Sequence, residues 1–145
     1  TPCEHSFPTR RSSDLWYEWV KDPGDPKRKQ PYFIRLKSQK PMFFGALAQV
    51  HPGLDPREGD GFVIITASSD QGMVDIHDRK PLVLTPENAR EWIEPDLTPG
   101  RAEEIAKECC QPVDDFDWFR VGISVGNIRN QGADLIISIL DSEQS

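Results

Sequence analysis

Glu18 stands in the string Trp16-Tyr17-Glu18-Trp19, where three aromatic side chains surround one carboxyl group. An ionised carboxylate loses hydration there, so its pKa is expected to rise and the group to serve as a proton carrier. His77 stands in Asp75-Ile76-His77-Asp78-Arg79-Lys80-Pro81, between two aspartates that can fix its tautomer and hold it as a switchable acid. A third string, Val125-Gly126-Asn127-Ile128-Arg129-Asn130-Gln131-Gly132, sets the amides of Asn127 and Asn130 in a turn. Taken singly, each has an ordinary explanation. A charged residue on a half-buried strand usually faces solvent, a histidine beside aspartates is common on surfaces, and asparagines build turns by bonding to backbone.

The elements that must position these groups read as a strand-rich chain with two short helices. Trp16 to Val20 reads as a strand, so Trp16 and Glu18 share one face while Tyr17 and Trp19 share the other. Asp22-Pro23-Gly24-Asp25-Pro26 is a turn rich in breakers. Tyr32 to Arg35 and Met42 to Ala48 are apolar, aromatic runs expected as strands. Asp55 to Gly61 is a polar loop, and the β-branched run Phe62-Val63-Ile64-Ile65-Thr66 is expected to be a buried strand. Thr85 is expected to cap a helix that starts at Pro86 and runs through Trp92, and Thr98-Pro99 repeats the device before a helix ending near Cys109. Trp118 to Ile123 is expected as a further strand. The pattern is α+β, dominated by sheet, without repeats or heptads.

Composition bounds the rest. His5 to Leu15 matches, residue for residue, the translation of a common sequencing-adapter oligonucleotide, so residues 1–15 are expected to be a non-native leader. The roughly 130 residues that follow suffice for one modest domain with a core. No apolar run approaches the roughly 20 residues of a bilayer span, and no secretory signal is visible, so a cytoplasmic protein with no membrane partner is expected. The three cysteines and three histidines have no metal-like spacing, and Cys109-Cys110 is expected to stay reduced. A net charge of −7 is not the footprint of a general nucleic-acid binder. Acid gathers at Asp114, Asp115, Asp117 and in the tail, residues 140–145. Lys27, Arg28, Lys29, Arg35, Lys37 and Lys40 cluster early, so a DNA-binding face would be local.

In this order, and with linking stretches such as Lys29-Gln30-Pro31-Tyr32-Phe33-Ile34 and Pro81-Leu82-Val83-Leu84, the three strings resemble the SOS-response-associated peptidase (SRAP) family. The resemblance runs from Trp16 to about Ile139 and covers the later part of that family's domain, a little over half. It implies an α+β, sheet-rich fold, a barrel-like mixed sheet with short helices, incomplete here.

The chemistry it implies is processing of abasic sites in single-stranded DNA within the DNA-damage (SOS) response. The family's N-terminal cysteine captures the open aldehyde of the baseless sugar, first as a Schiff base and then as a thiazolidine crosslink. Lyase activity and crosslink reversal belong to the same chemistry. Glu18 matches the family's glutamate, the proton carrier, and His77 matches the histidine of its His-Asp-Arg motif, assigned to the sugar oxygen. Thr66 stands where the family has a small hydroxyl residue near the sugar. Arg79, Asn127 and Asn130 are expected to hold phosphate or support the site. The partner implied is single-stranded DNA containing abasic sites, with no cofactor or metal, and a monomer is expected.

Several positions depart from the family pattern. The nucleophilic cysteine is absent, and Cys3 has a blocked amine, so this chain is expected to be inactive in the covalent step. Gly126 and Ile128 replace the common Asn and Pro, and Gly45-Ala46-Leu47 replaces a Gly-Leu-Trp strand end. Two other functions fit the same residues: a cysteine-type peptidase, as the family's name suggests, and a non-catalytic DNA-binding fragment. An N-terminal amine beside a thiol is what an aldehyde needs, whereas a peptidase needs only the thiol, which favours the first function.

Overall fold

The structure is a computed structural model that describes residues 6–51, 53–69 and 76–139, with the backbone alone for 6–12. In chain order the elements are β1 (Ser6–Ser13), β2 (Trp16–Lys21), β3 (Lys29–Leu36), β4 (Met42–Gln49), β5 (Gly61–Ile64), β6 (Thr66–Ser68), β7 (Arg79–Pro81), β8 (Val83–Leu84), α1 (Pro86–Trp92), α2 (Pro99–Glu108) and β9 (Phe116–Arg120). The α+β, sheet-rich class is as expected. Among the described residues every strand pairing is antiparallel, and the strands form three open sheets. No described helix is long and apolar enough to cross a membrane. The chain divides into two compact units, residues 1–13, 41–68 and 79–112 in the first and 14–40, 69–78 and 113–145 in the second.

In the first unit β4 is central, flanked by β1 and β5, with β8 pairing its start. Thr85 and Thr98 cap the two helices as expected, their hydroxyls accepting from the Asn88 and Arg101 amides at 3.3 and 3.2 Å. Leu82, Leu84, Ala89, Trp92 and Ile105 form the core, and the Trp92 indole N–H donates to the Ala46 carbonyl at 3.2 Å. Gly45 is the one residue that permits this packing, since a Cβ there would stand 2.8 Å from a Leu82 methyl. Residues 6–13, within the expected leader, run along the whole of β4. Backbone pairing of this kind does not depend on side-chain identity, so it is compatible with a native or a non-native segment.

The run Phe62 to Thr66 departs from expectation. It splits at Ile65, whose N–H donates to the Gly45 carbonyl while its own carbonyl accepts from Leu82. The first piece, β5, is the outer strand of its sheet and is exposed along its length, Val63 by 63%. A β-branched run looks alike in sequence whether its strand is central or outer, which is why burial was expected.

In the second unit β3 lies between β2 and β9. One face of this sheet carries Tyr17, Phe33 and Phe119, the last two stacked with ring centroids 4.9 Å apart and the Arg35 guanidinium over both. The other face carries Trp16 edge-on to Phe116 at 5.6 Å, next to fully buried Ile34. The last strand ends three residues before the expected Ile123. Proline has no N–H, so Pro31 cannot return the hydrogen bond it receives from Val121, and the Gln30 side-chain amide donates to the Val121 carbonyl instead, at 2.8 Å. The ladder stops there, and Ile123 enters a 3₁₀ turn. The acidic tail, residues 140–145, lies outside the described residues.

Candidate nucleic-acid site

Antiparallel registry sets Glu18 of β2 directly opposite Tyr32 of β3, and Tyr32 opposite Arg120 of β9. Directly opposed residues project from the same face of a sheet, so these three form one row across the strands, with Trp16 on the same face. Glu18 is half-buried, and its carboxyl is raised above the ordinary value first by burial. Two groups pull it part of the way back, the charge of His77 first and then the neighbouring Trp16 indole. The direction of the Glu18 shift, upward and led by burial, is the one expected of a carboxyl set among aromatics.

His77 is brought within electrostatic reach of Glu18. Its Nδ1 lies 3.2 Å from the Asp78 carboxylate, with the imidazole 48% and the aspartate 85% exposed. Asp78 is thus a partner of the ring at Nδ1, while Asp75 lies outside the described residues. Ile76, next in the chain, is buried and anchors the segment. Glu18 and His77 both belong to the second unit.

Thr66 and Arg79, in the first unit, are also brought together. They sit on β6 and β7, and the Arg79 fork closes on Thr66, Nε donating to its hydroxyl at 2.8 Å and Nη2 to its carbonyl at 2.6 Å. Part of the guanidinium is thereby committed to holding the threonine, and Arg79 acts on it as a support. The amides of Asn127 and Asn130 build their own turn. Asn127 Oδ1 accepts from the Arg129 N–H at 3.0 Å, and Asn130 Nδ2 donates to the Ser124 carbonyl at 3.0 Å. Both side chains thus brace the loop that follows β9 within the second unit.

Tyr32 and Arg120 escaped the sequence-based selection. Their place beside Glu18 follows from registry between strands far apart in sequence, which no local pattern discloses. Among the described residues no group of three or more histidine, cysteine or acidic side chains could hold a metal ion.

Comparison with known proteins places the chain. The family model described as SOS response associated peptidase (SRAP) matches residues 10–128. The abasic site processing protein YedK of Escherichia coli is 48% identical over 124 residues, covering 86% of this chain and 54% of that protein. The abasic site processing protein YoqW of Bacillus subtilis is 34% identical, covering 87% of this chain and 55% of its own. The chain therefore spans about half the length of these curated relatives. Among solved structures, a phage-related protein of Bordetella bronchiseptica superposes with a TM-score of 0.68 at 39% identity, covering 79% of this chain and 53% of that one. A Bacteroides thetaiotaomicron protein shares the fold alone, with a TM-score of 0.71 at 16% identity. The chain belongs to the SRAP family.

Proposed function

We propose that this chain is the portion of an abasic-site-processing protein that carries its proton-transfer side chains, acting on abasic sites in single-stranded DNA during the DNA-damage response. The observation that carries the proposal is the Glu18 carboxyl, raised by burial and coupled to His77, in a chain whose relatives are named for abasic-site processing.

The chemistry asks for such a pair. An abasic sugar must open before its aldehyde can react, and His77 donates a proton to the ring oxygen in that step. The α-amine of an N-terminal cysteine adds to the aldehyde carbon. The hydroxyl of the adduct then leaves as water, taking a proton from Glu18, and an iminium remains. The cysteine thiol adds its sulfur to the iminium carbon and its proton returns to Glu18, closing a thiazolidine with one water released overall. Glu18 serves both directions, because the acid that expels water forward is the base that activates it in reversal. Within the first unit, Arg79 holds the Thr66 hydroxyl and carbonyl.

The test uses a protein spanning the full length of the relatives, with an exposed N-terminal cysteine and residues 16–139 of this chain in place. Single-turnover gel assays on an abasic single-stranded oligonucleotide should show a heat-stable adduct whose formation and reversal both slow in Glu18→Gln. Equal rates in variant and wild type would remove Glu18 from the mechanism. Cleavage of casein in place of adduct formation would favour a peptidase. A polypeptide of residues 1–145 alone is the control: its single early cysteine, Cys3, has its amine in a peptide bond, so it should give no thiazolidine.

A further inference from the structure

The row that begins at Glu18 ends in a cavity. At the end of the second unit's sheet, Lys21, Asp22, Gln30, Tyr32 and Arg120 line a space of about 350 Å³, within the range of small-ligand sites. The Arg120 guanidinium donates to the Tyr32 hydroxyl at 3.2 Å, which fixes both side chains on the cavity wall. Gln30 is held by its bonds to the Pro31 and Val121 carbonyls, and Asp22 accepts from the Gly24 N–H at 2.8 Å, so these two polar groups are already employed in the fold.

The charge at this end of the sheet is unlike that of the chain. Residues 20–32 together with Arg120 carry five cations, Lys21, Lys27, Arg28, Lys29 and Arg120, against two carboxylates, Asp22 and Asp25, in a protein of net charge −7. Lys21 and Lys29 are direct cross-strand partners. Like charges in that relation are destabilising, and an anion between or beside them would offset the repulsion. The aromatic ring of Tyr32 adds a flat surface on which a base can stack.

We infer that this cavity is a nucleotide subsite: Arg120 and Lys21 take a backbone phosphate of single-stranded DNA, and Tyr32 packs against the sugar or base beside it. The inference rests on the proposed action on abasic DNA, and it assigns to Arg120 a positioning role, since it shares the row with Glu18 and touches the strand next to the lesion. A phosphate contact carries no lesion information, so its contribution is the same for intact and abasic strands.

Fluorescence anisotropy of the 145-residue chain with two oligonucleotides tests this, one intact and one bearing a tetrahydrofuran abasic analogue. Arg120→Gln should weaken binding of both by the same factor, about tenfold at low salt. It should also lower the slope of log affinity against log salt by about 0.7. Arg120→Lys should recover most of the salt slope, since it keeps the charge and loses the fork. Arg120 is exposed, and circular dichroism checks that the variant folds; Lys21→Gln, at an exposed strand end, provides the same test independently, with a smaller loss of the same kind. Unchanged binding in both glutamine variants would overturn the subsite and leave the function standing. A loss confined to the abasic strand would overturn it too, because the contact would then be to the lesion. Inorganic phosphate at matched ionic strength should compete with the strand; phosphate that binds the cavity without displacing the strand would show that a free anion, not DNA, occupies it. Failure of the wild type to bind either strand would overturn the subsite, and the adduct assay on the full-length protein would still decide the function.

Discussion

Glu18 and Glu91 carry the same carboxyl group into opposite surroundings. Glu91, on α1, is gripped by the Arg101 fork from α2, whose Nη2 donates to Oε2 at 2.9 Å, and Arg101 also reaches Glu104 at 3.0 Å. That hydrogen bonding holds the Glu91 carboxyl below its ordinary value and raises Arg101 further. Glu18, on β2, has burial as its main influence, with the charge of His77 and the neighbouring Trp16 indole as partial relief. A carboxylate given a dedicated, permanently charged cation stays ionised and ties two helices together. One that is dried among aromatics is easier to protonate, which is what the proposed proton carrier needs. The difference between a fastening and a proton carrier lies in the partner each is given.

The comparison breaks most severely if the fastened region is emptied. Trp92→Ala removes a 2% exposed side chain and the hydrogen bond to Ala46, and should cost about 3–5 kcal/mol in urea unfolding. Phenylalanine at the same position should recover most of that packing. In the other region, Glu18→Gln should slow adduct formation by about 100-fold or more in the full-length protein. Its stability should be unchanged or slightly improved, because a dried carboxylate is replaced by a neutral group. Loss of rate together with loss of fold would mean that Glu18 is a fastening as well.

Smaller effects sharpen the contrast through pH. The folded-state pKa of Glu18 is raised, so folding takes up a proton, and its contribution to stability declines as pH rises from its ordinary 4.5 through the folded value. The folded-state pKa of Glu91 is lowered, so its contribution is present above 4.5 and is lost as pH falls through the folded value. Thermal melts across pH 3–7 should show Glu18→Gln flattening the profile above 4.5 and Glu91→Gln flattening it below. At pH 7 Glu91→Gln should lower Tm only slightly, since the pair is more than a third exposed, and should leave processing unaffected.

Much of this was legible in sequence where the cause is local. The Thr-Pro pairs announced both helix starts, and the aromatic neighbours of Glu18 announced a dried carboxylate. Legibility failed where the cause lies across the sheet. The exposure of β5 depends on its being an outer strand, and the end of β9 depends on a missing N–H at Pro31, some ninety residues away in the chain. Arg120 joins Glu18 only through two successive strand registers. The asparagine turn showed a third limit. An amide can hold a ligand or its own loop, and the bonds to Arg129 and Ser124 show Asn127 and Asn130 holding the loop.

The most direct test of the central claim is a carboxyl-carbon NMR titration of Glu18 and Glu91 in the same sample. Glu18 should titrate above 4.5, and His77→Ala should move it higher still, because the histidine charge that lowers it is gone. Glu91 should titrate below 4.5 and be indifferent to His77. A Glu18 titration at or below 4.5, unmoved by His77→Ala, would contradict the account.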